Sequence, residues 1–316
     1  MKYAKLGEIN IPCIAIGTWS WGNGENGSDD VFGNEIKKSD LKIIFDEAIK
    51  NGFNLFDTAF VYGMGESEKN LGSLIKNCHK KVIVSTKFTP SEINNSDDLK
   101  KCVAGSLNRL SVDYIDIYWI HDPSNVNKWT NEIIPYIKEN KVKYVGVSNH
   151  NIQEIKEAYG ILRKNNIKLA AVQNHYSILY RESEKSGIID WCHENKVIFF
   201  SYMVLEQGFL TGKYDENNLF KNDCYRGECY TYNKFKAVRP LVQYIKEVAT
   251  KYDVSPVSVI VKWAMLKGTV PIIGVTKKKY IKDLNDAIDV DIKLNEIIKI
   301  EEIAEILNID VRAEWE

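Results

Sequence analysis

The stretch NLFDTAFVYG, residues 54–63, begins as a short apolar run and ends by delivering an acid, Asp57, and a phenol, Tyr62, into a turn. Whether other apolar runs do the same decides the fold. Eight runs rich in β-branched or aromatic residues recur along the chain: CIAI (13–16), FNLF (53–56), VIVST (82–86), YIDIYWI (114–120), KYVGV (143–147), LAAVQ (169–173), VIFFSY (197–202) and VPIIG (270–274). Strands so uniformly apolar are covered on both faces, which suits an all-parallel sheet. Helical patterns fit between them, the signature of βα units.

Several of those helices carry their own boundaries. SDLKIIFDEAIKNG (39–52) offers Ser39 as N-cap and Gly52 just past its end. DLKKCVAGSLNRL (98–110), NIQEIKEAYGILRK (151–164) and SPVSVIVKWAMLK (255–267) space apolar residues by three and four. Pro256 sits in the first turn of the last, where a missing N–H costs nothing. Eight strands, each returning through a helix, predict one closed (β/α)8 barrel domain over residues 1–316. A doubly wound open sheet is the alternative, with fewer strands and a Gly-rich first turn. KYAKLGEINIPC predicts an amino-terminal β-hairpin turning at Gly7–Glu8, and NEIIKIEEIAEIL (295–307) an extra helix after the barrel. Three long loops are expected at 18–38, 122–128 and 208–236, the first and third as lids.

Composition narrows the partners. The formal charge of −1 lacks the basic field of nucleic-acid or membrane binding, and no apolar run approaches the ~18 residues of a membrane span. MKYAKLGEIN lacks the apolar stretch of a signal peptide, so a cytoplasmic location is expected. No pattern speaks to self-association. Six cysteines show no zinc spacing. Only Cys224 and Cys229 are close, and free thiols are expected there too.

In a parallel barrel the site lies at the carboxyl ends of the strands. Those ends read Gly17-Thr18-Trp19, Asp57 to Tyr62, Lys87, His121-Asp122, Ser148-Asn149, Gln173-Asn174 and Tyr202. Each has a bland reading alone: a cap for Asp57, a snorkelling Lys87, a core histidine for His121. Together they suit the protonation of a carbonyl oxygen. An ammonium at ~4 Å in an effective dielectric of ~20 attracts a phenolate by about 4 kcal/mol, enough to lower the tyrosine pKa by up to ~3, with burial opposing. Lys87 is the candidate cation, Asp57 its partner, and a neutral His121 could donate to the carbonyl. No Ser or Cys nucleophile dyad and no H-x-H pair is evident, so a hydride donor is the natural missing reactant.

Asp57, Tyr62, Lys87 and His121, in the settings FDTAFVYG, VSTKF and YWIHDP, resemble the catalytic tetrad of the aldo-keto reductase family. GTWSWG, YVGVSNH, VQNHYS, LEQGFLTGKY and PIIGVTKKK resemble its other segments in order. The resemblance implies reduction of a small-molecule carbonyl by NADPH, with NADH possible, and Tyr62 as general acid. It implies that Ser148, Asn149 and Gln173 hold the carboxamide, that Tyr202 stacks on the nicotinamide, and that Thr18, Trp19 and Asp57 also border the cofactor. Met203, Leu205, Gln207 and Gly208 would line the pyrophosphate path, with Gly274, Thr276, Lys277 and Asp283 near the adenosine. Tyr280 and Leu284 stand where the family often has Gln or Arg and Asn, and Met203 where Pro or Ser is common.

Residue types add that Thr276 should cap a helix whose first turn carries Lys277, Lys278 and Lys279. Cations there oppose the helix dipole and would welcome a ribose 2′-phosphate. Trp19 and Trp21, with Tyr62 and His121, are the expected substrate contacts; Phe60, Trp119 and Tyr230 or Tyr232 could complete an apolar pocket, and Trp315 could fold back over it. Three other readings remain open at this point: an aldolase with a Schiff base on Lys87, a glycosidase using Asp122 and Glu206, and an NADPH-binding regulatory subunit resembling the family's potassium-channel beta subunits.

Overall fold

Tyr3–Leu6 (β1) and Ile9–Pro12 (β2) pair antiparallel around the expected Gly7–Glu8 turn in a computed structural model that describes residues 1–313. The eight apolar runs then supply Ala15–Gly17 (β3), Leu55–Asp57 (β4), Ile83–Phe88 (β5), Ile115–Ile120 (β6), Val142–Ser148 (β7), Leu169–His175 (β8), Ile198–Tyr202 (β9) and Val270–Gly274 (β10). All pair in parallel, and β10 pairs with β3 to close the barrel. The open-sheet alternative falls with that closure.

Side chains alternate along each strand, so every second residue enters the barrel. Leu55, Ile83, Ile117, Ala171, Phe200 and Val270 build the apolar interior at the amino-terminal end. Two residues further along β4, β5, β8 and β9 the character changes, to Asp57, Ser85, Gln173 and Tyr202, whereas β6 and β10 continue with Trp119 and Ile272. Leu6 and Ile11 of the hairpin join the apolar layer, so β1–β2 closes that end of the barrel. Tyr144 fixes the hairpin through its hydroxyl, which accepts from Glu8 N at 3.1 Å.

Helices wrap the outside, and several match their sequence boundaries. Asn151 caps Ile152–Lys164 with a reciprocal Glu154 bond, and the Ser255 side chain caps Pro256–Leu266. Two caps differ from expectation. The first long helix runs Lys38–Lys50, with Lys37 as N-cap and Ser39 inside. The helix after β10 begins only at Tyr280, with Lys279 as N-cap. Thr276 is therefore no cap, and the three lysines lie in the turn before the helix rather than in its first turn.

The long loops are more ordered than expected. Helices Ser28–Phe32 and Tyr225–Cys229 occupy the first and third, Val126–Glu132 begins within the second, and a helix of 20 residues, Tyr232–Lys251, absorbs the end of the third. Its Pro240 breaks the sequence signal of a continuous helix. All six cysteines are free thiols.

Candidate active site

Inward alternation places Asp57, Lys87 and His121 above the apolar layer, at the carboxyl ends of β4, β5 and β6. Tyr62 comes from the turn between β4 and the helix Glu66–Ile75. That turn needs the glycine that follows. Gly63 has φ +62°, and a Cβ there would lie 2.5 Å from the Asn23 carbonyl oxygen.

The structure brings the four side chains together. Lys87 Nζ donates to Asp57 Oδ2 at 2.6 Å, to Thr58 O at 2.9 Å and to Tyr62 Oη at 3.1 Å. Asp57 Oδ1 accepts from Ser85 Oγ at 2.5 Å and from Gln173 Nε2 at 3.2 Å. His121 presents its ring edge-on to Tyr62 with centroids 6.4 Å apart, and its Nδ1 lies 3.2 Å from Thr89 Oγ1.

Electrostatics correct one expectation. Burial pushes the Tyr62 phenol above its ordinary pKa; Lys87 pulls it down, Asp57 pushes it up again, and the net direction is upward. The expected lowering is overruled, and Tyr62 is held as the protonated acid. Burial also works against charge on Lys87, but Asp57 and Tyr62 outweigh it and raise that pKa. Burial and the Lys87 charge lower the His121 pKa to about 3, leaving a neutral imidazole.

A cavity of about 1430 Å³ opens above this cluster. Thr18, Trp19, Asp57, Tyr62, His121, Ser148, Asn149, Gln173, Tyr202, Met203, Leu205, Gln207, Gly208, Gly274, Thr276 and Lys277 all line it. Trp19 stacks on Tyr62 with centroids 5.3 Å apart. Asn149 is already bound on both sides, donating to His121 O at 2.9 Å and accepting from Tyr202 Oη at 2.7 Å.

Other candidates lie elsewhere. Trp21 is buried against Phe56 outside the barrel, and its Nε1 donates to Val275 O at 3.0 Å, so it cannot touch a substrate. Asp283 does not line the cavity; it sits on the helix Tyr280–Asp289 with its carbonyl bound to Ser258 Oγ. Phe60 is covered by the Arg109 guanidinium, Trp119 is inside the barrel, Tyr230 packs on Phe209, and Tyr232 is exposed. Trp315 lies outside the described residues. Glu206 is fully buried and accepts from Ser177, His175 at 2.9 Å and Tyr230 at 2.8 Å, so it forms no glycosidase pair with Asp122. Lys87 lies beneath the cavity floor with its ammonium satisfied three times, which leaves no approach for a Schiff base.

Arg226 was missed by the sequence reading. It is buried, lines the cavity, and bridges two loops by donating to Phe32 O at 2.7 Å and Gln207 O at 3.1 Å. Among the described residues no carboxylate pairs with it. The only signal was an arginine inside CYRGEC, a segment read for its cysteines.

A closed (β/α)8 barrel with a deep cavity at the strands' carboxyl ends is the architecture of barrel enzymes. The chain belongs to the aldo/keto reductase family, whose model matches residues 13–305. It is 30% identical over 298 residues to a chloroplastic pyridoxal reductase of Arabidopsis thaliana, covering 88% of this chain and 79% of that protein. It is 26% identical over 299 residues to aldo-keto reductase yakc [NADP(+)] of Schizosaccharomyces pombe, covering 88% and 84%. The structure of the glycerol dehydrogenase AKR11B4 from Gluconobacter oxydans superposes with a TM-score of 0.83 at 21% identity, covering 98% of this chain and 97% of that one. Among the described residues no helix is long and apolar enough to cross a membrane, and no His, Cys, Asp and Glu side chains gather as metal ligands.

Proposed function

We propose that this member of a family of oxidoreductases reduces aldehydes or ketones to alcohols with NADPH, with Tyr62 as proton donor. The observation that carries the reading is the Tyr62 hydroxyl, 3.1 Å from a buried ammonium and at the wall of the cavity beside a neutral His121. A carbonyl oxygen placed between Tyr62 and His121 receives two donors as negative charge develops on it. Lys87 stabilises the phenolate left behind, and Asp57 holds Lys87 charged.

The cavity wall fits a dinucleotide. The buried Ser148 hydroxyl and both amide atoms of Gln207 have no hydrogen-bond partner among the described residues, as expected of groups awaiting one. Gln173 spends its N–H on Asp57 and keeps its amide oxygen for an incoming donor. Arg226 contributes a buried cation with no carboxylate partner among the described residues, suited to a pyrophosphate, and the exposed Lys277 a cation at the far end suited to a 2′-phosphate. When bound, the dihydronicotinamide supplies the hydride. The Schizosaccharomyces pombe relative carries NADP(+) in its name, which points the same way. Trp19 beside Tyr62 favours flat, aromatic aldehydes, as the resemblance to a pyridoxal reductase also suggests.

The test is a panel of carbonyl compounds, pyridoxal and benzaldehyde among them, assayed by loss of NADPH absorbance. Turnover with aromatic aldehydes is expected. Binding of NADPH without oxidation by any member would replace this reading with that of a regulatory subunit.

A further inference from the structure

We propose that Ser85 and Trp119 form a buried donor relay that fixes the Asp57 carboxylate beneath Lys87, which makes Ser85 a positioning residue for proton transfer. The inference rests on the reductase reading of the site and concerns residues that reading does not use. Trp119 Nε1 lies 2.5 Å from Ser85 Oγ, and Ser85 Oγ lies 2.5 Å from Asp57 Oδ1.

The direction of this chain is fixed by chemistry. An indole N–H can only donate, so the serine oxygen accepts from Trp119 and its single proton goes to Asp57. The two carboxylate oxygens are thereby divided. Oδ1 takes Ser85 and Gln173, and Oδ2 is left for Lys87. Ser85, Trp119, Asp57 and Lys87 are all buried, so water cannot replace a lost donor cheaply.

The barrel makes room for this arrangement. Strand pairing sets Lys87 beside Trp119 and Asp57 beside Ser85. Gly146 on β7 faces the indole, and a Cβ there would lie 2.3 Å from its ring carbons. Phe200 closes the other side edge-on at 5.4 Å. The indole therefore has one seat, and from that seat its N–H reaches Ser85. Removal of the Ser85 donor weakens the hold on the ionised carboxylate and, through Lys87, on Tyr62.

The test compares wild type with Ser85→Ala, Ser85→Thr and Trp119→Phe. The pH dependence of kcat/KM is measured with benzaldehyde and NADPH, NADPH affinity by fluorescence, and the indole N–H resonances by ¹⁵N spectroscopy. Ser85→Ala should move the acidic limb of the profile up by about one pH unit and lower kcat by about tenfold, from the loss of one charge-assisted hydrogen bond. NADPH affinity should hold. Trp119→Phe should shift the limb in the same direction by less, and Ser85→Thr, which keeps the hydroxyl, should restore it. The resonance missing from Trp119→Phe should move in Ser85→Ala and follow pH in wild type. A folded Ser85→Ala enzyme with the limb in place and the indole unmoved overturns the relay. If wild type turns over no carbonyl, the reductase reading fails, while the indole shift still decides the relay by itself. Should Ser85→Ala not fold, Ser85→Cys, a weaker donor, is read in the same two ways.

Discussion

The Tyr62 hydroxyl stands 3.1 Å from the Lys87 ammonium although the two residues leave the barrel on different strands. Lys87 sits inside β5, whereas Tyr62 lies five residues past the end of β4, and Gly63 turns the chain back so that the phenol faces inward.

Tyr62→Phe keeps the ring that stacks on Trp19 and removes only the proton donor. Reduction should fall by roughly 10²–10⁴. NADPH fluorescence titrations should match wild type, and more than a tenth of the wild-type rate would remove Tyr62 from the acid role.

Lys87→Met leaves the Asp57 carboxylate buried without its cation. Urea unfolding should show a loss of about 3–5 kcal/mol, the range for breaking one side of a buried pair. Adding Asp57→Asn should recover part of it; a double variant less stable than Lys87→Met alone contradicts this account.

Acid should destabilise the protein through its neutral histidines. Burial lowers His121 to about 3 and His150 to about 4, against 6.5 when unfolded. Between those values the unfolded chain binds more protons, so stability is complete above pH 6.5 and is lost as pH falls towards 4 and then 3. His150→Asn, whose amide nitrogen takes the place of Nδ1 and can still donate to Ser148 O, should flatten the fall in urea midpoint between pH 6.5 and 4; an unchanged slope assigns the acid loss to other groups.

The lysines before Tyr280 should not contribute alike. Lys277 and Lys278 both line the cavity, but Lys278 also lies 3.4 Å from the Glu47 carboxylate, which shares its charge. Lys277→Ala should weaken NADPH by about tenfold and leave NADH nearly unchanged, since one charge-assisted contact is at stake. Glu47→Gln should tighten NADPH slightly. Equal losses for both cofactors in Lys277→Ala would undo the phosphate assignment.

The barrel was legible because its strands are apolar in long runs, and each run announced itself separately. The cluster was legible because polar residues follow those runs directly, as Asp57 follows Phe56. Contacts between distant segments were not. Arg226 is defined by two backbone oxygens, one of them 194 residues away, and backbone oxygens carry no sequence signature. Trp119 could be read as a pocket residue or as core, and only the alternation of β6 sends it under Asp57. The caps failed for a local reason: Ser39 and Thr276 have suitable side chains, but the chain enters each helix at a different residue.

The β1–β2 hairpin has a kinetic meaning. It covers an end already filled by Leu55, Ile83, Ile117, Ala171, Phe200 and Val270, so the cavity opens only at the carboxyl ends of the strands, and under the proposed reductase function both reactants would share that one entrance. Under that reading whichever settles deeper arrives first and departs last, an order set by a well that has a single mouth.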